Sequence, residues 1–340
     1  MNLIPLALLA ALAAPTLPIV APEPGPTPGP PSSTSAPAYL QKVAPAVVGI
    51  RTQVPLDRPS ALTLGPLRSG SGVIFDPAGY VVTVGYVLTD AATIRVSLRD
   101  GRVVPARLVG LDQEQGFGVI KLEGDGPWPA APLGDSSVVA VGNPVGTIGV
   151  DSDNDLVVSQ ASIREIRSFT GYWEYLLDRA FVVAPYNPSF GGSPLVNTQG
   201  EVIGVTSLRL GEPPHVNLAI PIEHFVAVKD ELIREGRVKS RRVRPWIGLY
   251  TTTAEEGLVV AGASPVGPAI EAGFERGDVI VRVNGEKVEG QEDFYRKLWR
   301  TEVGQEITIV VLRESRFHAI TLRPIDRYRL LSLPGKEQVR

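Results

Sequence analysis

The feature that most constrains the fold is a run of short segments rich in Val and Ile between Val43 and Leu208, separated by Gly, Pro, Asn and Asp. The segments are AVVGIRT, SGVIF, YVVTV, TIRVSL, VVPARLVG, FGVIKL and EVIGVTSL. Strands of this length at this spacing predict an all-β barrel or sandwich. An α/β fold would need helical periods of about ten or more residues between strands, and none precedes Asp151. We expect residues 159–180 to be less regular than the rest.

The segment that follows these strands, residues 220–236, predicts one amphipathic helix that closes the first domain. Its apolar residues recur at helical spacing, and Gly236 is a typical helix end. The basic stretch KSRRVR, residues 239–244, predicts a solvated linker rather than a partner-binding patch.

A second β-rich unit follows the linker. Its predicted strands are WIGLY, GLVVAG, DVIVRV and EITIVVLR, and its predicted helix is QEDFYRKLWR. The pair Asn284-Gly285 predicts a hairpin turn, because both residues tolerate positive φ.

The N-terminal segment predicts export. Residues 1–21 form an apolar run that ends in small residues, which is typical of a cleaved signal, and an uncleaved membrane anchor is the alternative. Residues 22–37 are almost wholly Pro, Gly, Ser and Thr, which predicts a semi-extended tether. We therefore expect a periplasmic or cell-envelope protein.

Composition excludes several kinds of chemistry. The chain has no cysteine, so thiol nucleophiles, disulfides and thiolate metal sites are excluded. Its net charge of −3 gives no reason to expect a nucleic-acid partner. The sequence DSDND, residues 151–155, begins like a calcium loop but lacks the later glycine and glutamate, so we interpret it as a polar surface turn. We expect no metal and no cofactor.

Several motifs, in this order, resemble those of the HtrA/Deg family, in which a chymotrypsin-like protease domain precedes a PDZ domain. They are SGSGVIFDPAGYVVT, RDGRVVPARLVGLDQ, PLGDSS, VGNPVG, NPSFGGSPLVN with GEVIGV, LAIPI and PVGPAIEAGFERGDVIVRVNGEKV. The resemblance covers nearly everything from Tyr39 to Pro324 and implies a double β-barrel followed by a small β-rich PDZ domain. The predicted parts are a leader at 1–21, a linker at 22–37, a protease domain at 38–238, a PDZ domain at 239–324 and a tail at 325–340.

The resemblance also places the three catalytic positions of the family, and each carries a different residue here. Tyr86 replaces the histidine of the T-N-N-H-V pattern, and Gly116 replaces the aspartate of the D-L-A-V-L-K pattern. Gly191 replaces the serine of N-P-G-N-S-G-G-P-L. A serine protease needs a hydroxyl nucleophile, an imidazole base and an orienting carboxylate, so we expect an inactive protease fold.

A relocated nucleophile is the alternative hypothesis. Ser189 and Ser193 each lie two residues from Gly191 in the sequence. A serine hydroxyl is inert at neutral pH without a base within about 3 Å. The chain has only three histidines, and the resemblance implies that all of them lie away from the cleft. A phenol with a pKa near ~10 is a poor substitute.

The PDZ motif implies binding of peptide C-termini or unfolded chains. In this family the carboxylate-binding loop reads aromatic-hydrophobic-Gly-hydrophobic, which Trp246, Ile247, Gly248 and Leu249 match. The alternative is that WIGLY is only a core strand. From the following helix we expect three apolar residues to line the groove, namely Phe294, Tyr295 and Leu298.

Further partners follow from the resemblance. The family typically assembles as trimers, so a homotrimer or a mixed oligomer with active relatives is implied. Trp173 and Tyr175, in GYWEYLL, are either a partner-facing aromatic cluster or core residues, and we expect core.

Overall fold

The computed structural model describes residues 36–331 and residue 333. The predicted leader at 1–21 and nearly all of the predicted linker at 22–37 lie outside these residues, as does most of the tail after 331. Within the described residues no helix is long and apolar enough to cross a membrane.

The first six strands close into a barrel in the order β1-β2-β3-β6-β5-β4. They are β1 Val47–Gln53, β2 Leu67–Asp76, β3 Tyr80–Val84, β4 Thr93–Ser97, β5 Val103–Asp112 and β6 Phe117–Leu122. Every neighbouring pair is antiparallel. Closure leaves no unpaired strand edge, and the β-branched residues predicted as strands fill the interior. The sequence prediction of strands in this region is confirmed.

A second closed barrel has the order β10-β11-β12-β9-β8-β7. Its strands are β7 Pro144–Val150, β8 Leu156–Gly171, β9 Tyr175–Ala184, β10 Pro194–Val196, β11 Val202–Leu210 and β12 Val216–Pro221. The prediction that residues 159–180 are less regular was wrong, because they belong to the long β8–β9 hairpin. This hairpin extends beyond the barrel, so its residues pack on the second domain rather than alternating cleanly between core and solvent.

The helices are short. They are α1 Ala38–Val43, α2 Pro59–Leu64, α3 Gly85–Leu88, α4 Glu223–Val226, α5 Lys229–Glu235, α6 Pro268–Glu271 and α7 Gln291–Leu298, with 3₁₀ turns at Ala44–Ala46 and Arg327–Leu330. The single helix predicted for 220–236 is therefore two helices, because Val228 leaves the helical region at φ −129° and ψ 0°. The predicted end is confirmed, since Gly236 caps α5 at φ +73°.

The second domain is a sheet in the order β14-β15-β16-β18-β19, covered by α7. Its strands are β13 Pro245–Trp246, β14 Leu249–Ala254, β15 Gly257–Ala263, β16 Val279–Val283, β17 Glu286–Lys287, β18 Ile307–Arg313, β19 Arg316–Leu322 and β20 Ile325–Asp326. Asn284 and Gly285 both have positive φ in the tight turn between β16 and β17, as predicted. The sequence analysis missed β19, where only Ile320 and Leu322 are buried.

The prediction of a solvated linker is only partly right, because Lys239, Ser240 and Arg242 are exposed but two other arginines of the linker are packed. Arg241 donates to the fully buried carboxylate of Asp112 at 2.7 Å, and the guanidinium of Arg244 lies 4.2 Å from the centre of the Trp299 ring. Charged groups on the first domain and an aromatic ring on the second hold these arginines in place. The segment after 324 is also packed: β20 pairs with β13, and Tyr328 is buried against the first domain.

Candidate functional site

The three positions that the resemblance assigns to the catalytic triad lie next to one another between the barrels. Tyr86 is on α3, directly after β3. The amide of Gly85 donates to the carbonyl of Gly116 at 2.7 Å, which holds that position beside α3. A β-carbon built on Gly191 would lie 3.0 Å from Tyr86 Oη. The fold thus brings Tyr86, Gly116 and Gly191 together.

Tyr86 occupies the space beside the nucleophile position. Its hydroxyl donates to the carbonyl oxygen of Ser207 at 2.8 Å. Burial raises the pKa of this phenol above its ordinary value of 10.0. At neutral pH the group is therefore a protonated donor, engaged with a backbone carbonyl, and is unable to accept a proton from an alcohol.

Tyr175 fills the space at the carboxylate position in the same way. A β-carbon on Gly116 would lie 2.8 Å from Tyr175 Oη, and Gly116 has φ +87°, which disfavours any side chain there. The Tyr175 hydroxyl donates to the carbonyl of Gln115 at 2.7 Å. Tyr175 is 6 % exposed, so the expectation that it is a core residue holds.

Arg68 fixes the segment that carries Tyr86. Its guanidinium is buried and donates to the carbonyls of Tyr86 and Thr89 at 2.9 and 2.8 Å, and to Ser60. Burial lowers the pKa of Arg68 to about 10, so it stays charged at neutral pH. The sequence analysis missed this residue, because a lone arginine in a strand carries no signal of its partners.

Among the described residues, no hydrogen bond joins the hydroxyl of Ser189 or Ser193 to a histidine. Ser193 is fully buried, and its hydroxyl has no hydrogen-bond partner. The amide of Ser189 donates to Asn187 Oδ1 at 2.9 Å, so it is already satisfied within the loop rather than aimed at an oxyanion. The carbonyl of Ser189 packs against Gly149 of β7.

None of the three histidines lines the cavity beside Tyr86. The His215 ring packs edge-on against Tyr186, whose ring in turn lies 6.0 Å from that of Phe190. His215 Nδ1 bonds the carbonyl of Gly211 at 2.7 Å. His224 is on α4, and burial lowers its pKa. His318 is on β19 of the second domain.

The predicted carboxylate loop has the geometry that the motif implies. Gly248 has φ +83°, and the amides of Ile247, Gly248 and Leu249 all point at one carboxylate. That carboxylate belongs to Glu174, in the turn between β8 and β9. Glu174 could not be predicted from the sequence, since the contact joins residues about seventy positions apart and no local pattern marks it.

The other predicted groove residues have different surroundings. Phe294 and Leu298 are fully buried in the core of the second domain, in a cluster that also contains Leu176 of the β8–β9 hairpin. The hydroxyl of Tyr295, in contrast, donates to the carbonyl of Gly171 at 2.7 Å. Trp246 lies between the two domains, on the wall of a cavity of about 590 Å³ that also reaches Tyr86.

No group of three or more His, Asp or Glu side chains in the described part of the chain could hold a metal ion. The stretch 151–155 forms a turn in which the Asp151 carboxylate accepts from the amides of Asp153 and Asp155, each at 2.9 Å. These bonds fit the interpretation as a polar surface turn.

Comparisons with known proteins agree with this architecture. The family of trypsin-like peptidase domains matches residues 70–205, and the PDZ family matches residues 245–323. A probable periplasmic DegP-like serine endoprotease of Halomonas elongata is 32% identical over 268 residues, which are 74% of this chain and 55% of that protein. The chain thus spans little more than half of that relative's length.

Other relatives are covered more completely. Serine endoprotease DegS of Escherichia coli is 30% identical over 299 residues, 82% of each chain. The chloroplastic Protease Do-like 1 of Arabidopsis thaliana is 32% identical over 321 residues, 84% of this chain and 71% of that protein. Among solved structures, the HtrA-type protease AlgW with a decapeptide has a TM-score of 0.53 at 26% identity, covering 87% of this chain and 98% of that one.

Proposed function

Because the chain belongs to the HtrA/Deg family, with a trypsin-like protease domain followed by a PDZ domain, we propose that it is a pseudoprotease of that family. The observation that carries the proposal is the position of the Tyr86 hydroxyl, 3.0 Å from where a β-carbon of a nucleophile at Gly191 would stand. Acyl transfer in this fold needs an alcohol beside a proton acceptor. The cleft instead holds a glycine beside a protonated phenol.

We propose that the remaining function is recognition of polypeptides, in scaffolding or protein quality control. Backbone amides of the PDZ loop capture a carboxylate without a catalytic side chain, and three such amides converge here on one carboxylate. The solved relative AlgW is described with a decapeptide, which agrees with this proposal. The cavity of about 590 Å³ between Tyr86 and Trp246 offers room for an extended chain.

The location and the assembly state are part of the same proposal. The Halomonas elongata relative is named as periplasmic, and we propose that this protein too is exported to the cell envelope. A homotrimer, or a mixed oligomer with an active relative, is proposed from the family resemblance. Co-purification with an active relative would support the mixed oligomer, and a strictly monomeric species would exclude both.

A fluorophosphonate probe and a casein digest test the loss of catalysis. We expect no labelling and no digestion above that of the double variant Ser189→Ala/Ser193→Ala, because neither hydroxyl has a base. An active family member treated in parallel is the positive control. Labelling or casein turnover that disappears in the double variant would overturn the proposal and establish an active endopeptidase with a relocated site.

A further inference from the structure

The tip of the β8–β9 hairpin, residues 171–174, contacts the PDZ domain as a bound peptide end would. The Glu174 carboxylate accepts three backbone amides, from Ile247 at 3.2 Å, Gly248 at 2.6 Å and Leu249 at 2.8 Å. These are the amides that a PDZ domain offers to the carboxylate of a ligand. The carboxylate site of this domain is therefore already filled by the protein's own chain.

The backbone of the hairpin tip also pairs with the sheet edge. Strand β14 is the outer strand of its sheet on this side, and the amide of Thr251 in β14 donates to the carbonyl of Tyr172 at 2.9 Å. Across the groove on α7, the Tyr295 hydroxyl donates to Gly171 O at 2.7 Å and accepts from the amide of Glu174 at 3.2 Å. The tip thus lies between β14 and α7, where an added ligand strand would lie.

The conformation of Glu174 is unusual for a glutamate. Its φ is +56°, a region that costs about 1–2 kcal/mol for a residue with a β-carbon and that glycine adopts freely. The residue is 2 % exposed, so an ionisable group is buried in a strained turn. Turn geometry alone would favour glycine here. The three hydrogen bonds that the Glu174 carboxylate accepts from backbone amides give a reason for glutamate.

We propose that Glu174 is an internal ligand of the PDZ carboxylate loop, so that a peptide C-terminus binds only when the hairpin tip leaves the groove. The inference rests on the proposed peptide-binding function and adds its regulation. Leu176, just after the tip, is buried in the core of the PDZ domain, so displacement of the tip also loosens the contact between the domains. Peptide binding and docking of the two domains are then mutually exclusive.

The test compares peptide affinity and amide exchange in the full chain. The probe is a pool of fluorescein-labelled decapeptides that end in a free Val, Leu, Ile or Phe, followed by fluorescence anisotropy. We expect Glu174→Ala to bind this pool at least about tenfold more tightly than the native chain, because the competing carboxylate is gone. Hydrogen exchange at the Gly248 and Leu249 amides should become faster in the variant. An amidated version of the pool should bind neither protein.

Two further variants keep the test decisive. Glu174→Gly also removes the carboxylate but suits the positive φ, so it should fold at least as well as the native chain and show the same gain in affinity. Asp178→Ala is the matched control, because Asp178 lies on the same hairpin and pairs with Arg296 of the PDZ domain at 2.5 Å, outside the carboxylate loop. It should change peptide affinity less than twofold, roughly the effect of one exposed ion pair.

The outcomes separate this inference from the function on which it rests. If the native chain binds the free-carboxylate pool as tightly as Glu174→Ala and Glu174→Gly do, the internal ligand is refuted while peptide binding stands. An equal gain in Asp178→Ala would also refute it, since general loosening of the domains would then explain the effect. If no protein binds the pool but exchange at Gly248 accelerates in both Glu174 variants, the internal ligand stands and the peptide-binding function fails.

Discussion

The protease cleft and the carboxylate loop of the PDZ domain are both filled by side chains of the protein itself, but the consequences differ. In the cleft, Tyr86 Oη lies 3.0 Å from a β-carbon built on Gly191, and Tyr175 Oη lies 2.8 Å from one built on Gly116. Both phenols donate hydrogen bonds to backbone carbonyls. In the loop, all three amides are present and Glu174 only occupies them. The two proposals together imply that chemistry that depends on side chains is lost by substitution, whereas recognition by the backbone survives and is controlled by competition.

The largest expected effect is on stability, in the loop of residues 187–197 that borders the protease cleft. A β-carbon at Gly192 would overlap Ser71 O and Thr83 Oγ1, and its φ is +85°. Gly192→Ala should therefore lower the free energy of unfolding by about 3 kcal/mol or more. The control, Gly142→Ala, has φ +88° but open space, and should cost only about 1–2 kcal/mol. Urea unfolding measures both, and equal losses would mean that the cleft loop is not rigidly packed.

A smaller effect concerns pH and the carboxylate loop. Burial raises the pKa of Glu174 from 4.5 to about 7. The hydrogen bonds from backbone amides and the charge of Arg327 lower this pKa, but only partly offset the effect of burial. The Glu174 carboxyl therefore holds its proton more tightly when the hairpin tip is docked than when the tip is released. Docking is then strongest below about pH 4.5 and weakens as the pH rises through 7. The native chain should bind the free-carboxylate peptides about tenfold more tightly at pH 8 than at pH 6.

Glu114 lines the same small pocket as Glu174, and burial raises its pKa above the ordinary value of 4.5. The tyrosines and the arginine that face Glu174 do not titrate in this range. Burial raises the pKa of Tyr250 and of Tyr295, and Arg327 remains a cation. The carboxyl end of the peptide is ionised at both pH values. Glu174→Gln, which has no proton to exchange, should therefore show no pH dependence. A similar pH response in the Glu174→Gln variant would assign the effect to another group. The carboxylate loop would then not differ from the protease cleft in being controlled by Glu174.

The smallest expected effect is a coupling, in the free energy of unfolding, between positions 86 and 191 of the protease cleft. Gly191→Ser places a side chain against Tyr86 Oη, and Tyr86→Phe removes that oxygen together with its bond to Ser207. A double-mutant cycle should give a coupling of about 1 kcal/mol, with the serine tolerated better beside phenylalanine. Neither variant should react with a fluorophosphonate, because no base has been added. Additive free energies would show that Tyr86 does not fill the nucleophile space.

The local sequence correctly predicted strands and turns in those segments that have one buried face. The β-branched segments of the first barrel and the Asn284-Gly285 turn carry their signal within a few residues, because alternation and positive φ are local properties. Prediction failed where burial depends on distant partners. The β8–β9 hairpin was expected to be irregular and the basic linker to be solvated, yet the hairpin and two arginines of the linker pack between the domains.

The candidate site also combines features that the local sequence predicts with features that depend on distant residues. Family motifs assigned Tyr86, Gly116, Gly191 and the segment Trp246 to Leu249 from the sequence, and the structure brings the first three together. Burial of Phe294 and Leu298 beneath the hairpin could not be read from the sequence. The sequence alone determined that a tyrosine and two glycines stand at the positions that the resemblance assigns to the triad, because residue identity decides whether a hydroxyl or an imidazole exists. Only the tertiary structure decided what fills the vacated space and that Glu174 enters the carboxylate loop, since both depend on contacts between residues far apart in the chain.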